Sequence, residues 1–315
     1  MAQHSKIIRC PEKSCNSVDI QFRGSRGNKQ RAECQECGRW FTIEIEEQDN
    51  LQTVKSAPKI LLFDLETSRV EVNSHVFSLW EQNLKPSDIV RDWIILCFSA
   101  KWLYDKDVMS FACSQKDIKN WDDKNVVAEL WKLLDEADIV IAHNAPFDVK
   151  HSTTRFIYHD YTPPSFYKTV DTLKMARGIM SVPSNKLDYL GTYFGLGNKI
   201  QNEYGLWDKV ETWNHPEWKQ SMSNMRLYCN QDVLLLEKIY MKLRPYYRNN
   251  PNLSLYGEAT DQTCPCCGQS GMLEWNEEKI HENRYPTGRC GICNAPVIGI
   301  ENKMDKGKRK LLVKR

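Results

Sequence analysis

The chain has 315 residues, 41% of them apolar and 27% charged, which suits one ordinary folded domain with small attachments, or two modest domains, and excludes a disordered tail. A formal charge of +2 excludes a polycation, so any nucleic-acid binding has to come from local patches rather than bulk charge. Residues 1–15 hold no apolar signal-peptide core and the longest apolar runs, such as 94–98, are far too short for a bilayer span, so the expectation is a soluble protein with no membrane partner, in the cytoplasm.

Nine of the twelve cysteines fall near the two ends in close groups, while Cys97, Cys113 and Cys229 stand alone and read as small apolar residues. In a reducing compartment such clustering argues for metal rather than disulfides. Cys10 and Cys15, then Cys34 and Cys37, frame a basic stretch at 23–31. Four thiolates suit tetrahedral Zn²⁺, and two knuckles joined by a hairpin predict a zinc ribbon over residues 1–48. Arg23, Arg26, Lys29 and Arg31, with Trp40 and Phe41, could grip a phosphate backbone and stack on bases, although a basic hairpin is also often only a solvated surface.

A linker over 49–58 follows an acidic run. From residue 59 the pattern alternates between strands and helices, which places the main domain at 59–250. Strands are predicted at 60–63, 92–103, 108–113 and 138–142. Helices are predicted at 125–137, from Pro146, at 169–177, at 186–194 and over 217–240. Trp93, Trp102 and Trp131 sit in these patterns as core, and burial is also the default for Trp207, Trp213 and Trp218. Together they predict an α/β domain, a mixed sheet flanked by helices. CPCCG from Cys264 and CGIC from Cys290 predict a second zinc ribbon at 251–302. Its ligands by knuckle spacing are Cys264, Cys267, Cys290 and Cys293, with Cys266 the alternative to Cys267. Residues 303–315 form a basic tail with seven lysines and arginines against one aspartate.

Three acidic pieces carry chemistry. In KILLFDLETS, residues 59–68, Asp64 and Glu66 lie two apart at the end of an apolar strand and so point to one face. Adjacent carboxylates repel, and a divalent cation is the commonest reason for a fold to keep them. In DIVIAHNAPFD, residues 138–148, Asp148 falls in the first turn of a helix, where an acid is also favoured by the helix dipole. In LYCNQDV, residues 227–233, Tyr228 and Asp232 lie four apart on one helical face.

Together these pieces resemble the DEDD exonuclease superfamily, which includes RNase D and the proofreading domains of DNA polymerases, those of family B among them. Tyrosine four residues before the last aspartate marks the DEDDy subtype, and LDYLGTYFGLGNK, residues 187–199, is similar to exonuclease-like proteins of bacteriophages. The resemblance implies an RNase H-like sheet and a site holding two Mg²⁺ or Mn²⁺ ions. Asp64 would bridge both ions, Glu66 and Asp232 complete the water-activating site, Asp148 supports the second ion and Tyr228 orients the water. Thr67, His143 and Asn144 are expected to shape the site and touch substrate, His143 in preference to acting as a general base. Asp171 is an outer candidate or simply a helix-starting acid.

The implied activity is hydrolysis from the 3′ end of single-stranded DNA in a bacterial or phage-infected cell. Single-stranded RNA, as for RNase D, is the alternative substrate. Any polymerase or recombination partner would be a separate chain. A non-catalytic nucleic-acid adaptor would be expected to lack one of the acids, and a transposase or integrase would arrange its acids differently.

Overall fold

The structure, a computed structural model, describes residues 10–12, 14–15, 17, 20–26, 29–44, 57–73, 84–197, 204–256, 262–271, 273–280, 284–303 and 307. Most of the expected linker and of the basic tail lies outside them. The chain forms two compact units, Met1–Ser56 and Ala57–Arg315. Among the described residues no helix is long and apolar enough to cross a membrane.

The first unit carries an antiparallel sheet of β1 (Ile20–Arg26), β2 (Lys29–Cys34) and β3 (Trp40–Glu44). Among its described residues Cys10, Ala32 and Cys34 are buried. A module of this size needs a metal or a cross-link to fold.

The second unit is built on a five-stranded sheet. Its strands are β4 (Ile60–Thr67), β7 (Ile95–Trp102), β8 (Met109–Ala112), β9 (Ile139–Ala142) and β10 (Lys168–Asp171), while β5 (Glu71–Val72) and β6 (Ile89–Arg91) form a separate small ribbon. The order is β10-β9-β4-β7-β8. β4 pairs antiparallel with β7 and parallel with β9, β7 pairs antiparallel with β8, and β9 pairs parallel with β10. Only β7 is therefore reversed, and the result is an RNase H-like mixed sheet. Strands covered on both faces read as continuous apolar runs, which is why ILLF in β4, ILCF in β7 and IVIA in β9 stood out.

Helices cover both faces. Leu61, Phe63 and Leu65 pack with Val127, Leu130 and Leu134 of α2 (Lys124–Glu136) and Phe156 of α3 (Ala145–Tyr158). Ile60, Leu62, Ile139 and Ile141 point the other way. They pack on Met175 of α4 (Thr172–Ile179), Leu190 of α5 (Leu187–Tyr193) and Val233, Leu236 and Tyr240 of α7 (Trp218–Leu243). α5 lies so close to α7 that a Cβ on Gly191 would stand 2.9 Å from Leu235 Cδ2 and 2.6 Å from the Gly197 carbonyl. Glycine is the residue that permits this approach.

Several elements depart from the sequence expectation, the β5–β6 ribbon among them. The helix expected at 169–177 begins as strand β10, because pairing with β9 claims Lys168–Asp171, and the helix starts only at Thr172. α1 (Gln115–Asn120) and α6 (Leu206–Glu211) are short helices that the pattern did not single out. α1 forms on a capping box between Ser114 and Asp117.

Next to α1, Asp123 is fully buried. It accepts from Arg155 Nε at 2.7 Å, Arg155 Nη2 at 2.6 Å and the Ile95 N–H at 2.8 Å, and lies 2.6 Å from His159 Nε2. This cluster ties the start of α2 to α3 and β7.

The second cysteine module, with β11 (Leu273–Ile280), β12 (Arg284–Cys290) and β13 (Pro296–Ile298), belongs to the second unit. It is joined to the α7 side of the core through Leu253, 2% exposed, whose N–H donates to the Pro265 carbonyl at 2.8 Å.

Candidate metal centres

Alternation along β4 sends Asp64 and Glu66 to the face that also carries Ile60 and Leu62, the face crossed by α7. The strand loses register with β7 between Glu66 and Thr67, an irregularity of the kind that re-aims side chains at strand ends. α7 is fixed over this face by polar contacts at three levels. Ser99 Oγ lies 2.6 Å from Asn230 Oδ1, the ammonium of Lys101, 3% exposed, pairs with Glu237 at 2.7 Å, and the Cys229 thiol donates to the Asp64 carbonyl at 3.2 Å.

With α7 so placed, Asp232 is 2% exposed and its carboxylate joins the other two. Asp64, Glu66 and Asp232 each offer an oxygen, and these lie within 4.8 Å of one another. Three carboxylates at this spacing form an all-oxygen donor set suited to a hard divalent cation and unsuited to zinc-type thiolate coordination. Tyr228, 8% exposed, precedes Asp232 by one helical turn on the same face.

Asp148, the fourth acid singled out in the sequence, lies outside that set of three. It sits in the first turn of α3 at 2% exposure. Burial holds its carboxyl well above the usual carboxylate range, and the charges of Asp64 and then Glu66 push the same way, against a hydrogen bond from the Leu65 backbone. It is thus a neighbour of the cluster, close enough to feel both β4 acids.

The flanking residues have mostly structural partners. His143 Nε2 stands 2.9 Å from the Asn185 carbonyl, which can only accept, so this nitrogen carries the proton. Nδ1 lies 2.9 Å from Thr172 Oγ1, whose hydroxyl is also 3.3 Å from the Ala142 carbonyl. Both nitrogens have partners inside the fold. Asn144 is exposed, adopts φ 68°, and donates its N–H to Asp171 Oδ1 at 3.0 Å. The same oxygen of Asp171 accepts from the Leu173 N–H at 3.0 Å, so Asp171 is the cap of α4. The Thr67 carbonyl accepts from Trp207 Nε1 at 2.9 Å, and next to it Arg69 is paired with Asp208 and Glu211, so α6 holds the end of β4.

Trp218 is buried with its N–H on the Val210 carbonyl, whereas Trp213 is 40% exposed. A cavity of about 290 Å³, lined by Pro146, Lys150, Asp171, Lys174 and Tyr247, opens beside the start of α3 and does not contain the acids.

The sequence read Cys229 as a small apolar residue, and the structure corrects this by giving it polar contacts beside the acids. It is fully buried, and its sulfur also lies 3.5 Å from Asp64 Oδ2. Burial raises its thiol well above the ordinary value, with Cys97 and Asp64 adding to the effect, so it is a neutral donor placed behind a metal-type carboxylate. Its position between Tyr228 and Asp232 was the only available signal.

The cysteine groups are of a different kind. Cys10 and Cys37 have sulfurs 3.6 Å apart, as do Cys15 and Cys34, and the four lie within 4.8 Å. The C-terminal group has Cys264 and Cys293 at 3.7 Å and Cys267 and Cys290 at 3.7 Å. Disulfides would be near 2 Å. A tetrahedron with Zn–S bonds of about 2.3 Å has edges of about 3.8 Å, so both groups have the donor set and spacing of structural zinc sites.

Backbone N–H groups of each knuckle face the sulfurs. In each set one thiol is held low at its neighbours' expense: Cys34 is lowered to about 7, chiefly by the Cys37 N–H, and Cys264 to about 5 by the Cys267 thiol and then the N–H groups of Cys267 and Cys266, while Cys10, Cys15, Cys267 and Cys293 are raised. Cys266 stands outside the four, which decides between it and Cys267. A fourth cluster, Asp122, Asp123 and His159, already has the Arg155 guanidinium as its cation. Set against protein-family models and against curated proteins, the chain matches none.

Proposed function

We propose that the chain is a metal-dependent 3′-to-5′ exonuclease of the DEDDy type, acting on single-stranded DNA and releasing nucleoside monophosphates. The observation that carries the reading is the convergence of Asp64, Glu66 and Asp232 within 4.8 Å, with Asp148 buried beside them. These side chains come from a central strand, the longest helix and the first turn of a third element, and folding stability alone does not call for such a gathering of acids.

A divalent ion, Mg²⁺ or Mn²⁺, would be held by Asp64, Glu66 and Asp232 with Asp148 in support, and would supply charge neutralisation at the phosphate and a more acidic water. The remaining work belongs to the chain. Cys229 contacts Asp64 from behind, and Tyr228, one helical turn before Asp232 on the same face, would orient the attacking water. Asn144, exposed at the start of α3, would meet the substrate strand, while His143 braces the loop behind it.

The test is a time course on 5′-labelled DNA and RNA oligonucleotides with Mg²⁺ or Mn²⁺, alongside Asp64→Ala. The expected result is a ladder shortening from the 3′ end that disappears in the variant while its melting curve is kept. Faster cutting of RNA would move the assignment to an exoribonuclease resembling RNase D. Oligonucleotides bound but never cut would overturn the reading in favour of an adaptor.

A further inference from the structure

The first unit has two unlike faces. In its sheet Ile20 pairs with Cys34, Phe22 with Ala32, Ala32 with Phe41, and Gln30 with Ile43, which places the apolar and cysteine positions together. The alternate positions make the other face: Arg23 opposite Arg31, Arg31 opposite Thr42, and Glu33 opposite Trp40. Lys29 shares that face by alternation with Arg31, and beyond the irregularity at Arg23/Ser25 its partner is Arg26. Four cationic positions thus stand in two directly opposed like-charge pairs, with Glu33 and Glu44 as the acids of the same face.

Like charges at directly opposed positions weaken a sheet. A ligand of opposite charge removes the repulsion. Beside them Trp40 is 51% exposed, and the Arg31 guanidinium lies 5.8 Å over its ring. An indole left in water next to a cation is a poor core residue and a good stacking platform.

We infer that this face of the N-terminal module binds single-stranded nucleic acid, with backbone phosphates on the Arg23, Arg26, Lys29 and Arg31 positions and a base stacked on Trp40. The surface belongs to the first unit and the carboxylate cluster to the second, and binding is read without cleavage.

The test uses the full chain with Asp64→Ala and a fluorescent single strand of about 30 nucleotides, as DNA and as RNA, followed by anisotropy. Trp40→Ala is expected to weaken binding about tenfold, with Trp40→Phe restoring most of it. Arg31→Gln is expected to lower the slope of log affinity against log salt by about 0.7. Retention of two zinc ions per chain shows that the module is still folded. Unchanged affinity and salt slope in the zinc-replete Trp40→Ala, Arg31→Gln double variant would overturn the inference. So would acidic vesicles or heparin competing as well as the strand while Trp40→Ala has no effect. Because binding is read without cutting, an absent exonuclease ladder leaves the result standing.

Discussion

The carboxylate cluster and the two cysteine clusters all pack their donors within 4.8 Å, yet they are built in opposite ways. Each cysteine set comes from two local knuckles, four sulfurs closed on themselves at the spacing of a tetrahedron. The acids come from β4 and α7, more than 160 residues apart in sequence, and are oriented by contacts that surround them. A closed thiolate set uses every coordination position for folding, whereas a few acids in a half-covered site leave positions for water and substrate. One kind of cluster makes structure, and the other depends on structure already made.

That contrast predicts a separation of activity from stability. Asp232→Asn is expected to lower cleavage by about a thousandfold or more and to leave the melting temperature unchanged or slightly raised, since one of several mutually repelling carboxylates is neutralised. Kinetics and calorimetry on the same preparation check it, and a variant that melts earlier while still cutting would break the comparison.

Cys290→Ser should do the reverse. Zinc content falls from two to one, the C-terminal module unravels, and because Leu253 joins that module to the α7-side core, the main unfolding transition shifts down by several degrees. Cys34→Ser is expected to release one zinc as well but to leave the main transition in place, as its module is a compact unit of its own. Metal analysis combined with thermal denaturation distinguishes the three cases.

The smallest effect concerns Cys229, where the two kinds of cluster come closest in chemistry, a thiol serving a carboxylate. Cys229→Ala removes a donor to Asp64 worth about 1 kcal/mol and should raise the Mn²⁺ concentration for half-maximal cleavage about fivefold. Cys229→Ser should recover most of the loss. Equal Mn²⁺ dependence in all three proteins would show the thiol to be mere packing.

The same contrast governs what could be read from the sequence. Cysteine knuckles are legible because ligand spacing and turn lie within a few residues, and even Cys266 was settled by local geometry. Asp64 with Glu66, and Tyr228 with Asp232, were legible as pairs, since strand and helix periods fix which face each shares. Their meeting was not written in either period and was expected only through the family resemblance. It depends on how α7 sits on β7, set by Ser99 with Asn230 and Lys101 with Glu237. Strand β10 was hidden for the same reason, as its partner β9 lies about thirty residues earlier. The two ring bonds of His143, one of them to Asn185, are tertiary and equally absent from the local pattern.

The buried Asp123 cluster has a consequence for how this protein can vary. Losing Asp123 alone would strand the Arg155 guanidinium, and losing Arg155 alone would strand a carboxylate, at about 3–5 kcal/mol in either case. Neither position can drift by single neutral steps. Across diverging lineages of this chain, positions 123 and 155 should be inherited as one character, replaced together by an apolar pair or not at all, with position 159 following them.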